Sequence, residues 1–141
     1  PHPGEMARLL QRTAADIQKD RVAAARAMAQ QYKVVVILKG ARTLVAAPDG
    51  RVWINPTGNA GMASGGMGDV LTGALAGLLA QGVLPLDAAL AAVFLHGLAA
   101  DILAERAPWG YLSTEVMHAL PQAIRRVLYD PPAPPLCTPL L

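Results

Sequence analysis

Cysteine is almost missing from this chain. The single Cys137 stands in a proline-rich stretch, so no intramolecular disulfide can form and no cluster of thiolates can hold a metal. A lone thiol fits a reducing compartment, and a cytoplasmic location is the expectation. Charge is scarce too, at 16% of the 141 residues against 53% hydrophobic, which excludes extensive disorder. Aromatic residues amount to 4%, so Ala, Leu, Val and Gly must fill the core and helices should approach closely. The formal charge is +2, and the twelve Lys and Arg residues are scattered, so nothing points to nucleic acid or an anionic membrane surface as a partner. No signal-peptide pattern opens the sequence. An unbroken apolar span is lacking as well. The stretch from Val70 to Leu103 is interrupted by Gln81, Gly82, Pro85 and Asp87, then by His96 and Asp101. A spanning helix needs about 20 predominantly apolar residues, so two buried helices joined by a turn are expected instead. The chain opens at Pro1 without Met, and the expectation is a piece of a longer protein whose site could lack a wall.

What is present reads as alternating helices and short strands. His2-Pro3-Gly4-Glu5 suits a helix entry, with Pro in the first turn and Glu5 near the positive end of the dipole. Thr13 or Asp16 should cap a helix from about Ile17 to Tyr32. Val34 to Leu38 is a continuous β-branched run of the kind buried on both faces of a parallel sheet. Thr43 to Ala47 and Arg51 to Ile54 flank Pro48-Asp49-Gly50, a hairpin signal. A Gly-rich loop runs from Asn55 to Gly68, and helices should follow over 69–80, 87–106 and 113–129, the last capped by Ser113. Residues 130–141, with five prolines, should form a loose tail behind a domain covering 1–129. The order implies α/β: helices flanking a mostly parallel sheet with a local antiparallel edge.

The informative segment is the loop Asn55-Pro-Thr-Gly-Asn-Ala-Gly-Met-Ala-Ser-Gly-Gly-Met-Gly-Asp69. Five glycines fall between Gly58 and Gly68, just ahead of an apolar helix. Missing side chains let backbone N–H groups approach a ligand, and the helix start adds unpaired donors with partial positive charge. Such a site suits phosphate. Asp69 closes the loop, and a carboxylate there would repel an anion yet could take the proton of a hydroxyl. A base beside a phosphate cradle is what phosphoryl transfer to a hydroxyl requires. The bland alternative is that Asp69 caps the helix and the glycines merely form a tight loop. The P-loop pattern Gly-x-x-x-x-Gly-Lys-[Ser/Thr] is absent.

Gly61-Met62-Ala63-Ser64-Gly65-Gly66-Met67-Gly68-Asp69 resembles the signature loop of the NAD(P)H-hydrate dehydratases, members of the ribokinase superfamily. Two further segments are similar in the same order: His2-Pro3-Gly4-Glu5, and Lys39-Gly40-Ala41-Arg42-Thr43. The resemblance implies a ribokinase-like three-layer α/β/α fold with a mostly parallel sheet, of which this chain would be a C-terminal portion with a β-hairpin and several flanking helices. It implies removal of water from hydrated NADH or NADPH, coupled to cleavage of ADP or ATP with magnesium. Carried over by position, Asp69 would be the catalytic base and touch the substrate, and His2 would also bind the substrate. Lys39, Gly40, Ala41, Arg42 and Thr43 would bind the nucleotide. So would Asn59, Ala60, Gly61, Met62, Ala63, Ser64, Gly65, Gly66, Met67 and Gly68. No protein metal ligand is implied. The family also implies a homo-oligomer and, in many relatives, a fused epimerase domain. A small-molecule kinase of the same superfamily, or a non-catalytic nucleotide-binding module, would share the loop. Several residues have plainer expected roles. His96 reads as a satisfied core histidine, Asp101 and Glu105 as solvent-facing or locally paired, and Met62 and Met67 as packing groups.

Overall fold

The computed structural model describes residues 1–130 and 138–140; Cys137 and most of the proline-rich tail lie outside them. The chain divides after Asn55 into two compact units. The first holds α1 (Pro3–Leu10), α2 (Ala14–Lys19), α3 (Arg21–Tyr32), and the strands β1 (Val36–Leu38), β2 (Leu44–Ala46), β3 (Val52–Ile54) and β4 (Thr138–Leu140).

Local chemistry sets these boundaries. Thr13 caps α2, its hydroxyl accepting the Asp16 N–H at 3.1 Å while Asp16 accepts the Thr13 N–H at 3.2 Å. The helix expected from Ile17 to Tyr32 is two helices. Asp20 breaks it at φ −149°, and its carboxylate accepts the Ala23 N–H at 2.8 Å, restarting the chain as α3. A short acidic side chain that binds nearby amides competes with the helix ladder in this way. Helix α3 then ends at Lys33 in the left-handed region, φ 55°, and the Val34 N–H reaches back to the Ala29 carbonyl at 3.2 Å. This termination takes Val34 out of the expected strand, which begins at Val36.

Every strand pair among the described residues is antiparallel, in the order β1-β2-β3-β4. The α/β class holds, but these residues do not form the mostly parallel sheet expected of them. The connections 39–43 and 47–51 are far too short for a parallel crossover, which takes a dozen residues or more. Thr138–Leu140, expected to be loose, pairs with β3. Met6, Ile17, Ala25, Ala29, Leu38 and Val52 are buried together in the core of this unit. Arg26 ties α3 to the hairpin, its Nε–H donating to the Gly50 carbonyl at 2.9 Å.

The second unit holds a 3-10 turn (Ala60–Met62) and helices α4 (Met67–Ala80), α5 (Pro85–Ala104) and α6 (Ser113–Tyr129). Helix α5 is long and apolar enough to cross a membrane by length and composition, yet more than half of its most apolar window is buried inside the protein. Ala99, Ala100 and Ile102 of α5 pack with Met67, Tyr111 and Val116. Helix α6 begins differently from expectation. Ser113 is its first residue, and Glu115 reaches back to accept the Leu112 N–H at 2.7 Å.

Small residues permit the close packing that the lack of aromatics requires. A Cβ at Gly97 would stand 2.3 Å from Thr57 Oγ1, 2.7 Å from the Thr57 carbonyl carbon and 2.8 Å from the Gly58 nitrogen. Two of those three atoms are backbone, so a rotamer change cannot relieve the overlap. Gly97→Ala is expected to lower stability by about 1–3 kcal/mol through overpacking, read as an earlier urea midpoint. An unchanged midpoint would mean that the 57–58 segment can withdraw from α5 at no cost.

Candidate functional site

In the first unit, α1 brings His2, Glu5 and Lys39 together. His2 is the N-cap of α1, and its Nδ1 accepts the N–H groups of Gly4 at 3.0 Å and Glu5 at 3.3 Å. Accepting at Nδ1 leaves the proton of a neutral ring on Nε2, which lies 3.5 Å from Glu5 Oε1. Glu5 closes the box by accepting the His2 N–H at 2.6 Å, and Lys39 Nζ stands 3.6 Å from its Oε2. Hydrogen bonding from the His2 backbone, then the charge of Lys39, holds the Glu5 carboxyl below the usual range. The Lys39 N–H donates to the Pro1 carbonyl at 2.8 Å. Glu5 thus links two segments that sequence alone treats separately. Its motif position was visible, but its partner 34 residues away was not.

In the second unit, the loop before α4 separates used donors from free ones. Asn59 caps the 3-10 turn, its Oδ1 accepting the Gly61 N–H at 3.0 Å. The Met62 N–H donates to the Asn59 carbonyl at 3.2 Å and the Ala63 N–H to the Ala60 carbonyl at 3.1 Å. The amides of Ser64, Gly65, Gly66, Met67 and Gly68 then find no acceptor among the described residues. Besides the amides of Asn59 and Ala60, which also have no acceptor among the described residues, the free donors form one unbroken run at 64–68, the part of the loop that runs into the helix. Gly66 is the N-cap at φ 84°, and a Cβ there would meet Ser113 Oγ at 2.5 Å, so the turn requires glycine. The Met67 side chain is buried in the core, which leaves its amide for the loop.

Asp69 follows as the third residue of α4, exposed, with its own N–H donating to the Gly66 carbonyl at 3.1 Å. The helix has no side-chain cap, and the Asp69 carboxylate makes no hydrogen bond or ion pair among the described residues. Capping is thus not its role here. The arrangement is a run of unpaired N–H groups at a helix start, followed one residue later by an unpaired carboxylate. It can stabilise negative charge and accept a proton within one turn.

Two residues outside the motif hold this loop. Asp101, in α5, accepts the Gly58 N–H at 2.8 Å and the Asn59 Nδ2–H at 2.9 Å. Tyr111 donates its hydroxyl to Asn59 Oδ1. A Cβ at Gly61 would strike that hydroxyl at 2.5 Å. Burial pushes the Tyr111 phenol pKa up, and the charge of Asp101 adds to it. Asp101 therefore corrects the expectation of a solvent-facing or locally paired acid, since its partners are 42 and 43 residues away. Glu105 pairs with Arg126 of α6 at 2.8 Å. His96 is buried as expected but is not fully satisfied, because its Nε2 has no partner among the described residues. Burial pushes its pKa down to about 4, opposed by a backbone hydrogen bond to Met67 at the start of α4.

The His2–Glu5–Lys39 set belongs to the first unit and the Asn59–Asp69 loop to the second, each a local arrangement in its own unit. Among the described residues no group of three His, Cys, Asp or Glu side chains gathers as a metal site.

A family model described as NAD(P)H-hydrate dehydratase matches residues 1–122. The chain is 51% identical over 128 residues to a bifunctional NAD(P)H-hydrate repair enzyme of Moorella thermoacetica, covering 90% of this chain and 24% of that protein. A crystal structure of an ADP/ATP-dependent NAD(P)H-hydrate dehydratase from Bacillus subtilis, co-crystallized with ATP/Mg2+, superposes with a TM-score of 0.85 at 40% identity, covering 89% of this chain and 46% of that one. A ribokinase-like superfamily protein from Enterococcus faecalis superposes with a TM-score of 0.74 at 32% identity, covering 89% of this chain and 43% of that one. The fold is accordingly ribokinase-like, and the chain spans from 24% to 46% of the length of these relatives.

The buried His96 makes stability depend on pH. The unfolded chain takes up a proton near pH 6.5 that the folded chain refuses until about pH 4. Stability is therefore complete above that window and falls as pH drops through it, by up to about 3 kcal/mol. Urea unfolding at pH 7, 6, 5 and 4 should show this loss, and His96→Gln should remove most of its slope. A slope unchanged in the Gln variant would assign the loss to other groups.

Proposed function

This chain belongs to the NAD(P)H-hydrate dehydratase family, and we propose that the protein carrying it restores NADH or NADPH from their hydrates, with ADP or ATP as phosphoryl donor. The observation that carries this reading is the run of unpaired amides at 64–68 leading directly to the unpaired carboxylate of Asp69. Such a site does two things in one place. The amides bind phosphate oxygens, and the carboxylate takes the proton from the hydroxyl of the hydrate.

With ADP as donor, the hydrate oxygen bonds to the terminal phosphorus and the bridging P–O bond breaks, releasing AMP. The phosphorylated hydroxyl is then a good leaving group. Loss of phosphate with a proton from the adjacent carbon re-forms the ring double bond. The net change is hydrate plus ADP giving NAD(P)H, AMP, phosphate and a proton. In this proposal Asp69 is the base and contacts the substrate. His2 binds the substrate through the Nε2 that its capping geometry leaves as a donor. The segment 39–43 and the loop 59–68 bind the nucleotide. Magnesium bound with the nucleotide would supply charge neutralisation at its phosphates. The proposed assembly is a cytoplasmic homo-oligomer. The bifunctional name of the Moorella relative supports a second catalytic domain in the same polypeptide, proposed as the hydrate epimerase.

The test is recovery of reduced-nicotinamide absorbance from hydrated NADH by the full-length protein, with ADP, with ATP and with neither. Nucleotide-dependent recovery is expected. A stable phosphorylated product without recovery would move the reading to a small-molecule kinase. Asp69→Asn keeps the shape but removes the base, so turnover should fall at least about 100-fold, the low end of what general base catalysis contributes, while nucleotide affinity stays within a factor of about three. Near-normal turnover in that variant would remove Asp69 from its role.

A further inference from the structure

Arg21 opens α3 and spans the gap to the loop between β1 and β2. Its Nη1–H donates to the Ala41 carbonyl at 2.6 Å, and Nη2 donates to the carbonyls of Leu38 at 3.3 Å and Arg42 at 3.5 Å. A fourth carbonyl of this turn, that of Gly40, accepts the Thr43 hydroxyl at 3.1 Å. The guanidinium passes so close that a Cβ at Gly40 would stand 3.0 Å from Nη2, and Gly40 has φ +145°. One planar fork therefore holds the carbonyl that ends β1 and two carbonyls of the segment 39–43, whose sequence resemblance marks it as nucleotide-binding.

A trans peptide is planar, and its C=O and N–H point in opposite directions. Each carbonyl drawn to the guanidinium turns the next residue's N–H away from it. The Leu38 carbonyl does this to the Lys39 amide, which indeed donates to Pro1 on the other side at 2.8 Å. The Ala41 and Arg42 carbonyls do the same to the amides of Arg42 and Thr43. Those two N–H groups find no acceptor among the described residues. Arg42 sits in the left-handed region at φ 55°, a conformation that a non-glycine residue keeps only when its surroundings impose it.

We propose that Arg21 is a positioning residue for the nucleotide: by holding the carbonyl edge of the 38–42 turn, it keeps the amides of Arg42 and Thr43 turned outward as donors to the nucleotide. This rests on the reading of the protein as a nucleotide-dependent hydrate dehydratase. Lysine cannot replace the fork, because its ammonium is a point donor on a flexible stem and cannot hold three carbonyls in a fixed plane.

The experiment uses the full-length protein with Arg21→Lys and Arg21→Met. Three quantities are measured: ADP affinity by calorimetry, the KM values for ADP and for hydrated NADH, and the backbone NMR order parameters of Arg42 and Thr43 without ligand. Each charge-assisted hydrogen bond lost corresponds to about a tenfold change or more. Arg21→Lys should weaken ADP binding about tenfold and Arg21→Met further. The KM for the hydrate should stay within about twofold, with lowered order parameters confined to the turn. A general structural defect would instead raise both KM values together, and that result overturns the proposal. Wild-type ADP affinity in a folded Arg21→Lys variant overturns it as well, even if Arg21→Met fails to fold. If the wild-type protein neither binds ADP nor restores NADH, the functional reading fails separately. The order parameters of Arg42 and Thr43 then still test the turn, and unchanged values in both variants would reject the positioning role.

Discussion

Backbone amides without acceptors are costly to bury and tolerable where solvent or a ligand reaches them, and the run from Ser64 to Gly68 is the constraint around which the second unit is arranged. Such a run collapses into a tighter turn unless its neighbours are pinned. Asp101 does this at Gly58 and Asn59, and Tyr111 does it at the other side of Asn59. The amides of Gly61, Met62 and Ala63 are spent within the 3-10 turn, which ends the internal bonding just before the donors that remain open. Gly66 can adopt its left-handed conformation against Ser113 because it has no side chain. The charge of Asp69 then falls where the helix start favours it.

The first unit solves the same problem with a cation. Arg21 takes up carbonyls where Asp101 takes up N–H groups, and in both units the grip comes from a helix far away in sequence. Arg26, on the same helix as Arg21, holds the opposite end of the hairpin at Gly50. The short sheet is thereby clamped at both of its turns by one helix. Its strands are only three residues each, and a sheet of that size has little stability without a helix packed on it. The apolar seal is supplied by small and medium side chains, Ala25 and Ala29 from the helix against Leu38 and Val52 from the strands. Close approach of this kind is the direct consequence of a composition poor in aromatics.

Much of this was legible in the residues. The hairpin turn at Pro48-Asp49-Gly50, the Gly-rich loop, the apolar character of α4 and α5 and the entry to α1 follow from local rules of φ, ψ and hydrogen-bonding capacity. Other features misled. The run Val34 to Leu38 reads as a strand buried in a parallel sheet, but the helix termination at Lys33 consumes Val34 and the short connection to β2 forces an antiparallel partner. The helix expected from Ile17 to Tyr32 hid a break, because Asp20 looks like an ordinary charged residue until its carboxylate is seen on the Ala23 amide. Asp101 and Tyr111 carried no motif at all, since each acts through a partner more than 40 residues distant.

Taken alone, the sequence determined the elements whose causes are local: the glycines that free the loop backbone, the acid placed one residue after them, and the three ordered segments that mark the family. Tertiary structure decided which of the loop's donors stay open and which are consumed, and that Asp69 is unpaired where it could have capped a helix. It also decided that Arg21, Asp101 and Glu5 make the contacts that tie down the motif segments. The physical reason is one of range. Backbone freedom and capping act within about one turn, whereas a hydrogen-bond partner across the fold is chosen by packing, which no short stretch of residues contains.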